Sequence, residues 1–120
     1  MSTGIRPSDV VRSAADEIGN CMAVVRSKAI NAEGSDREKL FGAYDDLLTR
    51  LQELVHQDLK AIDQDPQVQQ VITRLLVLNQ RLAVAKREML AAKTVIDRTK
   101  KVLGWADEIL RLLLPSTADV

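Results

Sequence analysis

Ring-bearing side chains are almost missing from this chain: of 120 residues, only Phe41, Tyr44 and Trp105 are aromatic. An interior without aromatics must be filled by Leu, Val, Ile, Ala and Met, which is the palette of a helix bundle. Glycine is scarce at five residues and proline at three, so few positions interrupt a helix. Cys21 is the only cysteine, which excludes an internal disulfide framework and fits a reducing compartment such as the cytoplasm. No stretch approaches the roughly 18 uninterrupted apolar residues of a membrane span, and Met1 to Pro7 has no apolar run of the kind that marks an export signal. None of the glycines falls in a phosphate-loop or dinucleotide pattern. An excess of one charge is lacking too, since 17 bases balance 17 acids.

What the chain does have is a long apolar seam. Val68, Leu75, Leu82, Met89, Ile96, Leu103 and Leu110 recur every seven residues. Taken as heptad position a, they put Val71, Leu78, Ala85, Ala92, Thr99, Ala106 and Leu113 at position d, and only Thr99 is polar. Such a spacing asks one face of a helix to stay against a partner helix along its whole length. Between Leu75 and Ala92 the segment is also apolar off the seam, at Leu76, Val77, Ala83, Val84, Leu90 and Ala91. A helix apolar over most of its circumference touches partners on more than one side.

Punctuation divides the chain into three helices, expected at about 8–31, 36–63 and 66–113, within a single domain over 8–114 and between flexible ends at 1–7 and 115–120. Ser8 reads as the first N-cap, with Val11, Ala15, Ile18, Met22, Val25 and Ala29 on the buried face. Gly34 ends that pattern, and Ser35 followed by Glu38 has capping-box spacing. Helix two would then bury Phe41, Tyr44, Leu48, Leu51, Val55, Leu59 and Ile62. Asp65 caps the third helix and Pro66 fits its first turn, where a missing N–H is harmless. Short connections make neighbours antiparallel, so the expected fold is all-α, with three helices running up, down and up.

Charge reinforces the pairing of helices two and three. Glu33 to Asp65 holds nine acids against four bases, and Pro66 to Leu114 holds nine bases against four acids. Opposite signs favour packing the two side by side. Asp58, inside the apolar stripe near the turn, is within expected reach of Arg74.

The helices are unequal in length. An unbroken third helix would reach roughly 70 Å against roughly 35 to 42 Å for the others, so its apolar end overhangs and needs a cover. Either a break near Lys93 or a kink near Gly104 folds the end back as a fourth helix, or a second molecule covers it. No Pro or Gly lies between Gln67 and Leu103, which favours the long coiled-coil-like helix completed by a homodimer. The expected contact residues are Ile96, Leu103, Trp105, Ile109, Leu110 and Leu113. Trp105, off the seam, either covers a kink or anchors a partner.

Catalytic and metal constellations come out poorly, and no metal, cofactor or enzymatic activity is expected. Glu53 and His56 have the Glu-x-x-His spacing of di-iron bundles, but in one copy only and on the side away from the apolar stripe. Asp45 and Asp46 are adjacent and do not face each other, and Cys21 and His56 would meet only by tertiary accident. A basic strip of Lys86, Arg87, Lys93, Lys100 and Lys101 along helix three offers nucleic-acid association as the rival reading. Against it stand a balanced net charge, no helix-turn-helix spacing and no interleaved aromatics.

No motif marks a family. The layout, short helices leading to a long apolar C-terminal helix and a tail with Pro115, resembles the small export chaperones of bacterial flagellar and type III secretion systems. That resemblance implies a bacterial protein that binds a client. The residues and the layout together lead to the expectation of a non-catalytic cytoplasmic protein that binds another protein through helix packing, to chaperone, sequester or inhibit it.

Overall fold

Residues 5–91 and 95–113 are described by the structure, a computed structural model, and they form helices and short turns without a strand. In chain order the helices are α1 (Pro7–Ile30), α2 (Gly34–Val55), α3 (Leu59–Gln64), α4 (Pro66–Gln70), α5 (Ile72–Ala91) and α6 (Ile96–Leu113). Residues 1–4 and 115–120 of the expected flexible ends, and 92–94 of the expected third helix, lie outside the described residues, while Pro7, expected in the flexible N-terminus, is the first residue of α1.

The helix starts differ from the local caps the sequence suggests. Pro7 opens α1, so Ser8 lies inside the first turn rather than at its N-cap. Its cap oxygens come from Asp63 of α3, which accepts the Ser8 N–H at 2.9 Å and the Ser8 hydroxyl at 2.6 Å. A carboxylate brought by the tertiary fold satisfies an otherwise orphaned helix amide. At the other end, the Asn31 side chain donates to the Ser27 carbonyl at 3.0 Å. Gly34 at φ 61 then turns the chain and already belongs to α2, so Ser35 falls inside the helix and the N-cap, Glu33, makes no side-chain bond. The Ser35–Glu38 capping box therefore gives way to a left-handed glycine.

The expected second helix is interrupted after Val55. Asp58 accepts the Ala61 N–H at 3.1 Å and caps α3, and is not the partner of Arg74. Asp65 accepts the Gln67 N–H at 2.9 Å and caps α4, with Pro66 in the first turn as its chemistry favours. Val71, at φ −104, separates α4 from α5.

The four long helices make a bundle. α1 packs on α2 and α5, α6 packs on the same two, and α1 and α6 face each other across the middle. α1 and α5 run the same way, since Asn79 Nδ2 donates to Ser13 Oγ at 3.0 Å and Lys86 approaches Glu17 at 4.0 Å. α5 and α6 run oppositely, with Arg74 on Glu108 at 2.8 Å near one end and Arg98 on Glu88 at 2.6 Å near the other. α3 and α4 carry the chain from α2 to α5, with α3 lying against α1.

The continuous third helix of 66–113 is thus corrected to three helices, and its distal part folds back as the fourth member of the bundle. Burial explains the outcome. Val95, Val102, Ala106, Ile109 and Leu113 are almost wholly removed from solvent, and a buried Val, Ile or Leu side chain contributes about 1.5–3 kcal/mol. A break forfeits a few helical hydrogen bonds of about 1 kcal/mol net each, so the burial gained by folding back outweighs it.

The buried faces also shift. α5 buries Leu75, Leu78, Leu82, Ala85 and Met89, the expected seam. α6 buries the expected position-d residues Thr99, Ala106 and Leu113, but pairs them with Val102 and Ile109, while the position-a residues Ile96, Leu103 and Leu110 are half-buried. α2 buries Leu40, Leu47 and Leu54, with Phe41, Tyr44, Leu48 and Leu51 half-buried and Val55 61% exposed. Its face is rotated from the one the two aromatic residues suggest. Thr99, the one polar seam residue, is fully buried and donates to the Val95 carbonyl at 2.7 Å, so it carries no unmet hydrogen bond into the core.

The acidic and basic halves meet through α2 and α6 rather than as a sequential hairpin, because α2 and α5 occupy opposite corners of the bundle. An ion pair joining the halves, Arg50 with Asp107 at 2.9 Å, uses a base of the acidic half and an acid of the basic half.

Candidate functional site: an apolar groove between α5 and α6

Each expected contact residue can be followed into the bundle. Ile109 and Leu113 belong to the core, whereas Ile96, Leu103 and Leu110 are half-buried on α6. Ile96 and Leu103 line a shallow groove with Lys39, Gly42, Ala43 and Asp46 of α2. The overhang on which they were expected does not exist in this fold, because α6 lies on α2 and α5. Trp105 is separate from the others. It lines a groove of about 360 Å³ with Val77, Gln80, Arg81, Val84 and Glu88 of α5.

Helix geometry builds this groove. Val77 and Val84 are seven residues apart and so stand on one line of α5, separated from the buried seam by the line of Arg81 and Glu88. Trp105 stands on the α6 line that includes Arg98 and Leu112, on the side turned to α5. Antiparallel packing puts the two lines together. Val77 is 37% and Val84 45% exposed, so the floor of the groove is apolar surface left open to water. The rim is charged: Glu88 holds Arg98, and Glu108 holds Arg74. The Arg74 guanidinium holds the Glu108 carboxyl below the usual glutamate range, chiefly through their hydrogen bonds. Arg81, Arg87 and Lys101 are exposed on the same side.

The residues of the basic strip are dispersed. Lys86 turns to Glu17 of α1, Lys100 lines the α2–α6 groove, and Arg87 and Lys101 lie on different helices. Lys93 is outside the described residues. A strip that runs along one helix in sequence is split when that helix is broken and folded back.

Candidate reactive groups are not brought together. Cys21 is buried in α1, its thiol pushed up to about 11 by burial and by the charge of Glu17, while His56 is exposed at the end of α2. Glu53 is exposed as well. Among the described residues, no three or more His, Cys, Asp or Glu side chains gather where they could hold a metal ion, and no helix is long and apolar enough to cross a membrane.

In the sequence Val77 and Val84 stand out as off-seam apolar residues, and their closeness to Trp105 is not apparent. A signal was present: all three occupy heptad position c in the same register, and folding the helix back brings these positions to a common side.

The fold and groove define an all-α helical bundle with a partly open interhelical surface. No family model, curated protein or solved structure matches the chain.

Proposed function

We propose that this chain is a non-catalytic interaction module that binds a partner protein by packing a helix into the α5–α6 groove, and thereby chaperones, sequesters or inhibits it. The observation that supports this reading is the open apolar floor of Val77, Val84 and Trp105 on a bundle that already has a closed core. Contiguous apolar surface beside a charged rim is the usual character of a helix-binding groove. The proposal moves the contact from the expected overhang to the groove, and of the six expected contact residues keeps Trp105. It also drops the long C-terminal helix on which the likeness to export chaperones rested. We take the chain to act in the cytoplasm, a reading supported by its single cysteine, which can form no internal disulfide.

The test compares wild type with Val77→Asp, Val84→Asp as baits in extracts of the source cells, with bound proteins quantified by mass spectrometry. Both substitutions are at exposed positions, so the variant should keep its helical circular dichroism. A protein retained by wild type and lost from the folded variant supports the reading. Identical capture by both overturns it.

A further inference from the structure

The open groove carries a charge pattern that selects its occupant. The face made by α5 and α6 holds the bases Arg74, Arg81, Arg87, Arg98 and Lys101 against the acids Glu88, Asp97 and Glu108. Glu88 and Glu108 are already engaged, by Arg98 and by Arg74, and Asp97 stands one turn before Lys101, which leaves the three bases Arg81, Arg87 and Lys101 against one acid. The remaining positive charge is distributed on both banks of the apolar floor. Arg81 lines the α5 side itself, and Arg87 is one turn beyond Val84 on the exposed surface. Lys101 stands one turn before Trp105 on α6, and it too is exposed.

We infer that the α5–α6 groove receives an acidic amphipathic helix of another protein, its apolar stripe on Val77, Val84 and Trp105 and its flanking carboxylates on Arg81, Arg87 and Lys101. The inference rests on the protein-binding reading above and adds the chemistry of the partner. Helix-in-groove recognition places apolar anchors at i, i+3 or i+4 and i+7, a spacing that matches a floor built from two helix lines. Basic side chains on both banks then favour a helix with acids on either side of its stripe and repel one with bases there. Nucleic acid is disfavoured, because the centre of the face is apolar with a single aromatic ring and its few bases do not form a continuous cationic track.

Trp105 is the only tryptophan, so its fluorescence reports the groove directly. The probe is a synthetic peptide of about three heptads with Leu and Ile on one stripe and Glu on its flanks. Controls are the same peptide with Lys in place of Glu, and a short duplex DNA. The expected result is a saturable blue shift of Trp105 emission with the acidic peptide, weakened by added salt, and none with the Lys peptide or the DNA. Arg81→Glu with Lys101→Glu, both exposed positions, should weaken binding at least about tenfold, or roughly 1.4 kcal/mol, with circular dichroism unchanged. Absence of binding, equal binding of the Lys peptide, displacement by DNA, or undiminished binding by the charge-reversed protein overturns the inference. If that happens while a cellular partner is still lost on Val77→Asp, Val84→Asp, the groove reading stands and only the acidic assignment falls. If no partner depends on those positions, the groove reading falls as well.

Discussion

At the scale of single residues, the burial pattern separates neighbours that look alike in the sequence. Leu47 is fully buried in α2 and Val55 of the same helix is 61% exposed, although the aromatic-centred face includes Val55 and omits Leu47. Leu47→Ala is expected to destabilise the fold by about 2–5 kcal/mol, whereas Val55→Ala should stay within about 0.5 kcal/mol. Urea unfolding of the two variants measures the difference, and a reversed order would return α2 to the face expected from its aromatics. Asp63 offers a second measurement. Its hydrogen bonds from Ser8 hold the carboxyl below the usual aspartate range. Removing that cap with Asp63→Ala should cost about 1 kcal/mol at neutral pH. As pH falls, the unfolded carboxyl takes up its proton first, near pH 4, and the cap's contribution is lost as pH drops through the lower folded value. The gap between wild type and Asp63→Ala should therefore be full above about pH 5 and shrink in acid. A gap that grew in acid would contradict the Ser8–Asp63 contact.

At the scale of elements, the folded-back α6 is the feature that decides the rest. In one straight helix Arg74 and Glu108 would be roughly 50 Å apart, at about 1.5 Å per residue. In the bundle their side chains meet at 2.8 Å. Spin labels on Arg74→Cys and Glu108→Cys, in a Cys21→Ala background, should report a short separation by pulsed electron resonance. A distribution centred near 50 Å would restore the unbroken helix and its overhang. The heptad seam did announce which α5 residues are buried, because Leu75, Leu78, Leu82, Ala85 and Met89 follow it. It did not announce the break, because both a/d and g/d spacings are apolar beyond Ala92: Val95, Val102 and Ile109 compete with Ile96, Leu103 and Leu110. A stripe that wide suits a bundle helix with two neighbours better than a two-stranded seam. That width was the legible sign of a fourth helix, and the absence of Gly or Pro between Gln67 and Leu103 hid it.

At the scale of the whole molecule, closure of the core by one chain has a measurable consequence. Light scattering should give a mass near 13.3 kDa for the wild type. Leu103→Asp with Leu110→Asp should lower the unfolding midpoint, because both residues pack against the core from α6. A dimer converted by that double variant into an equally stable monomer would reinstate the overhang interface. The charge halves behave in the same way as the seam. Their opposite signs are plain in the sequence, yet α2 and α5 stand at opposite corners. Long-range attraction between solvated charges is weak beside the burial of aliphatic faces, so packing chose the neighbours and the ion pairs followed.

The sequence by itself determined that this protein is all-α, has an aliphatic core and starts a helix at Asp65–Pro66, because periodicity, composition and capping act over a few residues. Tertiary structure alone decided that α6 turns back, that Asp63 caps α1 across 55 residues, and that Val77, Val84 and Trp105 share one groove. Those outcomes depend on which of several apolar faces lose the most water when all four helices pack at once, a competition that no local pattern contains.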